Sequence, residues 1–236
     1  MKQLARQILD QTGLHLTTGQ MTALAQYEKE LLDWNTRVNL TAIRDPEGIH
    51  VKHFLDSLTC APVLREAQAN RLIDVGTGAG FPGLILKIAF PAMQVTLVES
   101  VGKKADFCRH ITKTLKLEGV TIVQDRIEAL GQTQEHREQY DWAVARAVAH
   151  LSVLSEYLIP LVKIGGKVLA QKGESAHAEA QSAEKAMKLL GGKLEQLIPV
   201  NLPGVVDDRY LVVVNKIAAT PPKFPRKPGI PTKQPL

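Results

Sequence analysis

Cysteine, aromatic residues and long apolar runs are all scarce in this sequence. Its two cysteines, Cys60 and Cys108, lie far apart and outside any CxxC pattern, so we expect buried thiols and neither a disulfide nor a cysteine metal site. No uninterrupted apolar stretch is long enough to span a bilayer, and the first residues lack an apolar core followed by a small-residue cleavage site. The sequence therefore predicts a cytoplasmic protein that does not enter a membrane.

The composition is that of an ordinary globular protein with a basic end. The 236 residues, 44% hydrophobic and 22% charged, suffice for one sizeable α/β core but not for two full catalytic domains. The net charge of +5 comes from the last residues, which contain Lys216, Lys223, Arg226, Lys227, Lys233 and no acid. Because residues 218–236 are also rich in proline, we expect a tail that does not fold into the core. It would either lie along a phosphate backbone or form a disordered, solubilising end.

Residues 1–65 are predicted to form a helical N-terminal unit packed on the core. Apolar residues recur there at helical spacing, Thr17 or Thr18 is suited to cap the second helix, and Asp45 followed by Pro46 is typical of the start of a third. His50 and His53 lie three positions apart on that helix without a third metal ligand, so structural roles are favoured over metal binding.

From Arg71 onward, short apolar runs alternate with longer amphipathic ones, which is typical of βα units. The predicted strands are Leu72–Val75, Val95–Glu99, Val120–Gln124, Trp142–Arg146, Lys167–Ala170, Lys193–Pro199 and Tyr210–Lys216. The predicted helices of this part are Pro82–Phe90, Lys103–Leu117, Leu151–Val162 and Ser175–Leu190. This order predicts an α/β, Rossmann-like, mainly parallel sheet of about seven strands, with helices on both faces.

A glycine-rich segment follows the first predicted strand. Gly76, Gly78, Gly80 and Gly83 come just before and at the start of a predicted helix. Glycines at such a place let the backbone turn tightly and approach a cofactor closely. The last three also satisfy G-x-G-x-x-G, so a dinucleotide site has to be considered.

Two acids distinguish between the possible cofactors. Asp74 precedes the glycines directly, where its charge would repel a pyrophosphate but favour the cationic sulfonium and amino groups of S-adenosylmethionine. Glu99 ends the second predicted strand, where a carboxylate accepts ribose hydroxyls in either cofactor. The residues favour S-adenosylmethionine.

Further polar residues follow the third and fourth predicted strands. Ile127 could cover an adenine ring and Glu128 could bond its amine, although a solvated loop would explain them equally. Arg146 ends an otherwise apolar strand, so its charge needs a partner or a ligand.

The segment after the fourth strand restricts the acceptor atom. It has neither an Asn/Asp-Pro-Pro-aromatic run, which holds an exocyclic amine, nor a Pro-Cys pair, which activates a pyrimidine carbon. A ring nitrogen such as guanine N7 needs neither, since its lone pair attacks directly. Arg146 and Arg126 could orient such a base or its phosphates. The absence of both motifs is compatible with guanine N7 as the acceptor atom but does not single it out.

Motifs along nearly the whole chain resemble the glucose-inhibited division protein B family of bacterial small-subunit rRNA guanine-N7 methyltransferases. They are NLTAIRDPEGIHVKHFLDSL, IDVGTGAGFPG, LVES followed by GKK, DRIEAL, ARAVA, LAQKG and FPRKPGIPTKQPL. The resemblance implies a methyl transfer from S-adenosylmethionine to a guanine of 16S rRNA, in the small subunit or in an assembly intermediate. It also implies that residues 66–217 bind the cofactor. We expect a monomer without a metal.

The resemblance carries site residues onto this chain position by position. It implies cofactor contacts for Gly76, Phe81, Ile127, Glu128 and Arg146. Asp74, Gly78 and Glu99 follow from the general methyltransferase pattern, and Arg126 and Lys172 are similar to family positions near cofactor and RNA.

Three other functions remain open at this point. A small-molecule methyltransferase would share the cofactor site, a nicotinamide-dependent reductase would share the glycine pattern, and a non-catalytic RNA-binding or assembly factor would share the basic tail.

Overall fold

The computed structural model describes residues 1–66 and 70–236 and contains one seven-stranded sheet with helices on both faces. The strands are β1 (Arg71–Val75), β2 (Gln94–Val98), β3 (Val120–Val123), β4 (Tyr140–Arg146), β5 (Val162–Lys172), β6 (Gly192–Val200) and β7 (Arg209–Lys216). Their order is β3-β2-β1-β4-β5-β7-β6, and only β7 is antiparallel to its neighbours. The predicted Rossmann-like α/β fold is confirmed.

The helices of the N-terminal part are α1 (Lys2–Thr12), α2 (Thr18–Trp34), α3 (Pro46–Ile49), a π-helical segment (His50–Leu55), α4 (Asp56–Leu58) and α5 (Ala61–Glu66). Those associated with the sheet are α6 (Gly83–Ala89), α7 (Gly102–Thr114), α8 (Ile127–Leu130), α9 (Leu151–Leu158), α10 (Ala176–Ser182), α11 (Glu184–Leu189) and α12 (Ile230–Lys233). Within the described ranges, no helix is both long and apolar enough to cross a membrane.

Two predicted helices differ in detail from the structure. The helix predicted to reach Val162 ends at Leu158 and continues as a 3₁₀ turn, because Pro160 has no N–H to donate. The helix predicted over Ser175–Leu190 is interrupted at Ala183. The backbone hydrogen bonds from Ala183 to Glu179 and from Met187 to Ala183 nevertheless continue the helical pattern across the interruption.

The helical unit packs against the glycine-rich loop through aromatic rings. The ring of Tyr27 lies 5.7 Å from Phe54, 5.6 Å from Phe81 and 6.1 Å from Phe107, measured between centroids. Its buried hydroxyl donates to the carbonyl of Ala79 in the loop. Helix α2 is thereby joined to the loop by apolar contact and by a hydrogen bond that water does not compete for.

The strand order reverses between β1 and β4. From β1 the chain proceeds outward to β2 and β3, and then returns to the other side of β1 with β4 and β5. In open sheets of parallel strands, ligands bind at the carboxyl ends of the strands that flank such a reversal. The loops after β1 and β4 therefore form the expected site.

The C-terminal tail folds back on the sheet domain, so the expectation of a tail outside the core was wrong. Phe224 is 3% exposed. The guanidinium of Arg226 lies 2.6 Å from the fully buried carboxylate of Glu156, and Arg137 donates to the carbonyl of Phe224. Tail carbonyls are good acceptors for the half-buried guanidinium of Arg137, and composition alone could not reveal that this side chain lies beside them.

The basic residues from Lys216 onward contribute less free positive charge than the sequence indicates. Lys216 is buried at the end of β7, 3.0 Å from the carboxylate of Glu138, and Arg226 is bound to Glu156. Lys223, Lys227 and Lys233 are exposed and remain available to a phosphate backbone.

Phe224→Ala should lower the free energy of unfolding by about 3 kcal/mol, because it removes a buried aromatic ring from the contact between tail and core. Ile230→Ala, at a more exposed position of the same tail, should change it by less than about 0.5 kcal/mol. Urea denaturation of both variants tests this. Equal, small effects would mean that the tail does not pack in solution.

Candidate active site

The glycine-rich loop leaves β1 with a backbone that other residues would not adopt easily. Gly76 has a φ of +66°, and a Cβ built on it would lie 2.7 Å from Cγ2 of Val148. Gly78 has a φ of +59°, yet no described atom would lie within 4 Å of its Cβ. Gly76 is therefore required by close packing against the segment after β4, whereas Gly78 faces open space where a ligand can approach the backbone.

Asp74 lies beneath the loop and holds it in place. The residue is fully buried, and its Oδ2 accepts hydrogen bonds from the Gly83 amide at 2.8 Å and from the Thr77 hydroxyl at 2.5 Å. Burial raises the pKa of Asp74 to about 6, against the lowering effect of these hydrogen bonds. Its Oδ1 has no hydrogen-bond partner among the described residues. Asp74 thus supports the loop and keeps one free acceptor atom.

Glu99 connects the end of β2 to the same loop. Its side chain is buried, with Oε2 accepting from the amide of Gly78 at 2.9 Å and Oε1 accepting from the amide of Val101 at 2.8 Å. A carboxylate oxygen has two lone pairs, so each oxygen retains one for a further donor. The neighbouring residues Val98 and Ser100 both line the cavity that is described next.

A cavity of about 480 Å³ lies at the carboxyl ends of β1, β2, β3 and β4. We call it the large cavity. Its walls bring together parts of the chain that are distant in sequence, namely Gly76, residues 125–128, residues 148–150 and, from the tail, Gly229, Thr232 and Pro235. Gly76, Arg126, Ile127 and Glu128, four residues singled out from the sequence, line it together.

Glu128 connects the large cavity to the tail. It is 4% exposed, and its Oε1 accepts a hydrogen bond of 2.9 Å from the amide of Gly229. The hydroxyl of Tyr157 lies 3.0 Å from that of Thr232. The tail therefore forms one wall of the large cavity, a role that the sequence did not indicate.

Arg146, at the end of β4, has the partner that its position requires. Its Nη1 donates to Oδ2 of Asp56 at 2.7 Å, and its Nη2 lies 3.3 Å from Nδ1 of His53. The guanidinium also lies 5.2 Å from the ring centroid of Phe81. Asp56 and His53 belong to the helical unit and Phe81 belongs to the glycine-rich loop. Both parts of the chain therefore hold Arg146 at the carboxyl end of β4.

Phe81 and His53 form a stack beside Arg146. Their ring centroids are 4.5 Å apart, with Phe81 5% exposed. Burial and the charge of Arg146 lower the pKa of His53 to about 3, so the ring is neutral at physiological pH. The Phe81 side chain does not line the large cavity, and its place in the stack suits it to position Arg146.

The remaining residues singled out from the sequence lie either at the rim of the large cavity or against an acidic side chain elsewhere. Arg126 is exposed at the rim of the large cavity, whereas the ammonium of Lys172 lies 2.6 Å from the carboxylate of Glu179 and is already paired. His50 lies 2.7 Å from the carboxylate of Glu28, in agreement with a structural role. In the described part of the chain, no group of three or more His, Cys, Asp or Glu side chains is arranged to hold a metal ion.

The two cysteines are buried thiols, as the sequence indicated. Cys60 and Cys108 are free and buried, and burial raises the pKa of both thiols. Trp142 is 2% exposed within the sheet.

Sequence reasoning missed Asp56, the partner of Arg146. It follows a π-helical segment, a distortion that is frequent near functional sites. The signal in the sequence was an acid among the apolar residues of the third helix, at a position that proved 3% exposed.

The arrangement combines backbone donors at a glycine-rich loop, several buried carboxylates and an arginine at the end of β4, beside the large cavity. Comparison with known protein families shows to which family a chain with this arrangement belongs. The family model described as GidB, rRNA small subunit methyltransferase G, matches residues 20–204. The chain belongs to this family. The resemblance inferred from the motifs is confirmed.

Individual relatives agree with the family assignment. The chain is 44% identical over 235 residues to the ribosomal RNA small subunit methyltransferase G of Alkaliphilus metalliredigens, covering 100% of this chain and 98% of the relative. It is 51% identical over 224 residues to that of Roseiflexus castenholzii, covering 95% of each. An O-methyltransferase structure from Bacillus cereus in complex with SAH has a TM-score of 0.58 at 15% identity, covering 81% of this chain and 91% of the other, and is similar in fold.

Membership in this family decides between the functions left open by the sequence. The chain is a methyltransferase of the rRNA small subunit methyltransferase G family. The nicotinamide-dependent reductase, the small-molecule methyltransferase and the non-catalytic assembly factor are set aside.

His53→Gln should reduce the dependence of stability on pH. A histidine whose pKa is lowered on folding contributes stability that is complete above about pH 6.5 and is lost as the pH falls toward the folded value. Between pH 7 and 5 the parent protein should therefore lose about 1–2 kcal/mol more unfolding free energy than the variant.

Urea denaturation at the two pH values measures this difference, with His15→Gln, at an exposed position, as the control. An identical pH dependence of parent and His53→Gln would show that His53 titrates normally.

Proposed function

We propose that this chain transfers the methyl group of S-adenosylmethionine to N7 of a guanine in small-subunit (16S) rRNA. The observation that carries the proposal is the large cavity, which lies at the strand-order reversal and is walled by Gly76 and Glu128, in a chain of the rRNA small subunit methyltransferase G family.

The residues around the large cavity suit S-adenosylmethionine better than a dinucleotide. Asp74, Glu99, Asp125 and Glu128 place acidic groups at or beside it. Two of them, Asp74 and Glu99, are buried and bonded to the loop where a pyrophosphate would have to lie. Carboxylates attract the cationic groups of the proposed cofactor and repel phosphate, so charge favours the former.

Each site residue is assigned a role that its position supports. The backbone of Gly76 and Gly78 lies against the cofactor, Ile127 covers the adenine, Glu128 bonds its amine and Glu99 accepts the ribose hydroxyls. Phe81 positions Arg146. Arg146 and Arg126 orient the acceptor base or its phosphates from opposite sides of the segment after β4.

The chemistry requires positioning more than acid or base catalysis. When bound, S-adenosylmethionine supplies a methyl group on a positively charged sulfur. A guanine N7 lone pair lies in the plane of the ring and needs no deprotonation, so the protein has only to hold the base in line and exclude water. The neutral His53 and the ion-paired Arg146 beside the site are consistent with a mechanism without proton transfer.

The proposed domain organisation, substrate, oligomeric state and location are as follows. Residues 66–217 form the cofactor-binding domain, the helical extension of residues 1–65 supplies Asp56, and the tail of residues 218–236 forms one wall of the large cavity. The substrate is rRNA within the small subunit or an assembly intermediate, the active form is a monomer, and the reaction takes place in the cytoplasm.

Transfer of tritium from labelled S-adenosylmethionine to purified small ribosomal subunits that lack the modification tests the proposal. The modified nucleoside is identified by mass after digestion. Labelled 7-methylguanosine is the expected product. A different methylated nucleoside, or no transfer by a protein that binds the cofactor, would contradict the proposal.

Glu99→Gln should weaken S-adenosylmethionine binding by about 1–3 kcal/mol, a rise in Kd of roughly 5- to 150-fold, because an amide cannot accept from ribose and from two backbone amides together. Glu118→Gln, at an exposed position, is the matched control. Isothermal titration measures both, and an unchanged Kd for Glu99→Gln would remove the assigned role.

A further inference from the structure

The C-terminal tail contains a closed loop, residues 226–234, which we call the tail loop. Its two ends are joined by Arg226, whose Nη2 donates to the carbonyl of Gln234 at 2.8 Å. The same guanidinium contacts the fully buried carboxylate of Glu156, through Nε at 2.9 Å and through Nη2 at 2.6 Å. One arginine therefore closes the tail loop and attaches it to α9.

The middle of the tail loop lies against the large cavity. The amide of Gly229 donates to Oε1 of Glu128 at 2.9 Å, and the hydroxyl of Thr232 lies 3.0 Å from that of Tyr157. Gly229 and Thr232 both line the large cavity. These contacts fix the tail loop at the edge of the sheet where the proposed cofactor and the acceptor base have to meet.

The burial of Glu156 argues against a merely solubilising role for the tail. Removing a carboxylate from water has a large desolvation cost, which its partner offsets only when the geometry of the pair is good. A disordered charged end would keep the chain in solution without any such contact. The ion pair between Glu156 and Arg226 instead determines where the charges of the tail lie.

Two lysines flank the part of the tail loop that lines the large cavity. Lys227 lies two residues before Gly229, and Lys233 directly follows Thr232. Both lysines are exposed, and in the part of the chain that the structure describes neither is paired with a carboxylate. Residues 217–236 contain no aspartate or glutamate that could compete with a phosphate for these ammonium groups.

Arg126 adds a third cation beside the tail loop. It is exposed and lines the large cavity together with Gly229 and Thr232. The acids that line this cavity are Asp125, which is exposed, and Glu128, which is buried and bonded to the tail loop. The cavity lining and the tail loop together therefore carry more exposed positive than negative charge.

Prolines restrict the backbone between the two lysines. Pro228 and Pro231 lie there, and Pro231 is buried. Because proline fixes one backbone dihedral, the tail loop loses less conformational entropy on binding than a flexible basic tail would. The lysines are thus presented on a backbone that needs little further ordering.

We propose that the tail loop is a phosphate-binding surface that holds the backbone of the substrate RNA beside the large cavity, with Lys227 and Lys233 contacting phosphates. This inference rests on the proposed function and deepens it by naming a surface that binds the rRNA. A lysine ammonium is a compact charge suited to phosphate oxygens, and each phosphate that it neutralises releases condensed counterions. Such contacts position the RNA without reading its sequence.

The first test replaces both lysines, in the variant Lys227→Gln/Lys233→Gln, and measures methyl transfer to small subunits that lack the modification. KM for the subunits should rise roughly 3- to 20-fold because two phosphate contacts are lost, while kcat stays within about 2-fold. The slope of log KM against log salt concentration should become shallower by about 1 to 2. The Kd for S-adenosylmethionine should stay unchanged, because neither lysine lines the large cavity.

The matched control is Lys185→Gln/Lys188→Gln, which removes the same charge from exposed positions of α11. It should leave both KM and its salt dependence as they are in the parent protein. If KM and the salt slope of the tail-loop variant equal those of this control, the proposal is overturned. An equal rise in KM and in the Kd for S-adenosylmethionine would also overturn it, since the lysines would then act through the cofactor.

The second test needs no catalysis. Parent protein, tail-loop variant and control, each saturated with S-adenosylhomocysteine, are titrated with small subunits at several salt concentrations, and the Kd is measured by filter binding. Only the tail-loop variant should bind more weakly, by roughly 3- to 20-fold, and with a shallower salt dependence. The same Kd and salt dependence for variant and control would contradict the proposal.

The two tests separate this inference from the proposed function. If the parent protein forms no 7-methylguanosine in subunits, the proposed function fails, and the binding measurement still tests the tail loop. If the parent protein forms 7-methylguanosine while the tail-loop variant behaves like the control, only the assignment of the tail loop fails.

Discussion

The ion pair between Asp56 and Arg146 is the interaction on which the site depends. The two side chains are 4% and 15% exposed, and their charged atoms lie 2.7 Å apart. An arginine at the end of an apolar strand would be strongly unfavourable there without a partner, and an isolated buried aspartate equally so. Each charge offsets the cost of burying the other, and the pair joins the helical unit to the carboxyl end of β4.

Several features of the site follow from this pair. His53 stays neutral because it is buried beside the charge of Arg146, and Phe81 of the glycine-rich loop stacks against both His53 and Tyr27 of α2. The backbone carbonyl of Asp56 fixes the amide of Gln171. The helical unit therefore contributes directly to the candidate site, because its side chains Asp56 and His53 hold Arg146 at the carboxyl end of β4.

Local patterns predicted the sheet and the loop. Each of the seven strands was identified because apolar residues and their flanking glycines are contiguous in sequence, and Asp74, Gly76 and Gly78 belong to one short segment. Residues that act across long separations could not be predicted in this way. Asp56 contacts Arg146, and Glu128 contacts Gly229, only after the chain has folded. Composition alone did not indicate that the tail packs against the core. Gln171 lies one residue beyond the predicted strand Lys167–Ala170, in a strand that the structure extends to Lys172, and an unpartnered amide oxygen has no signature in sequence.

The most direct test of this account is a double-mutant cycle between Asp56→Ala and Arg146→Ala, measured as kcat/KM for methyl transfer to small subunits. If Asp56 acts by holding Arg146, the double variant should lose about as much activity as the more impaired single variant. If the losses of the two single variants add in free energy, the two residues act independently and the ion pair is not what assembles the site.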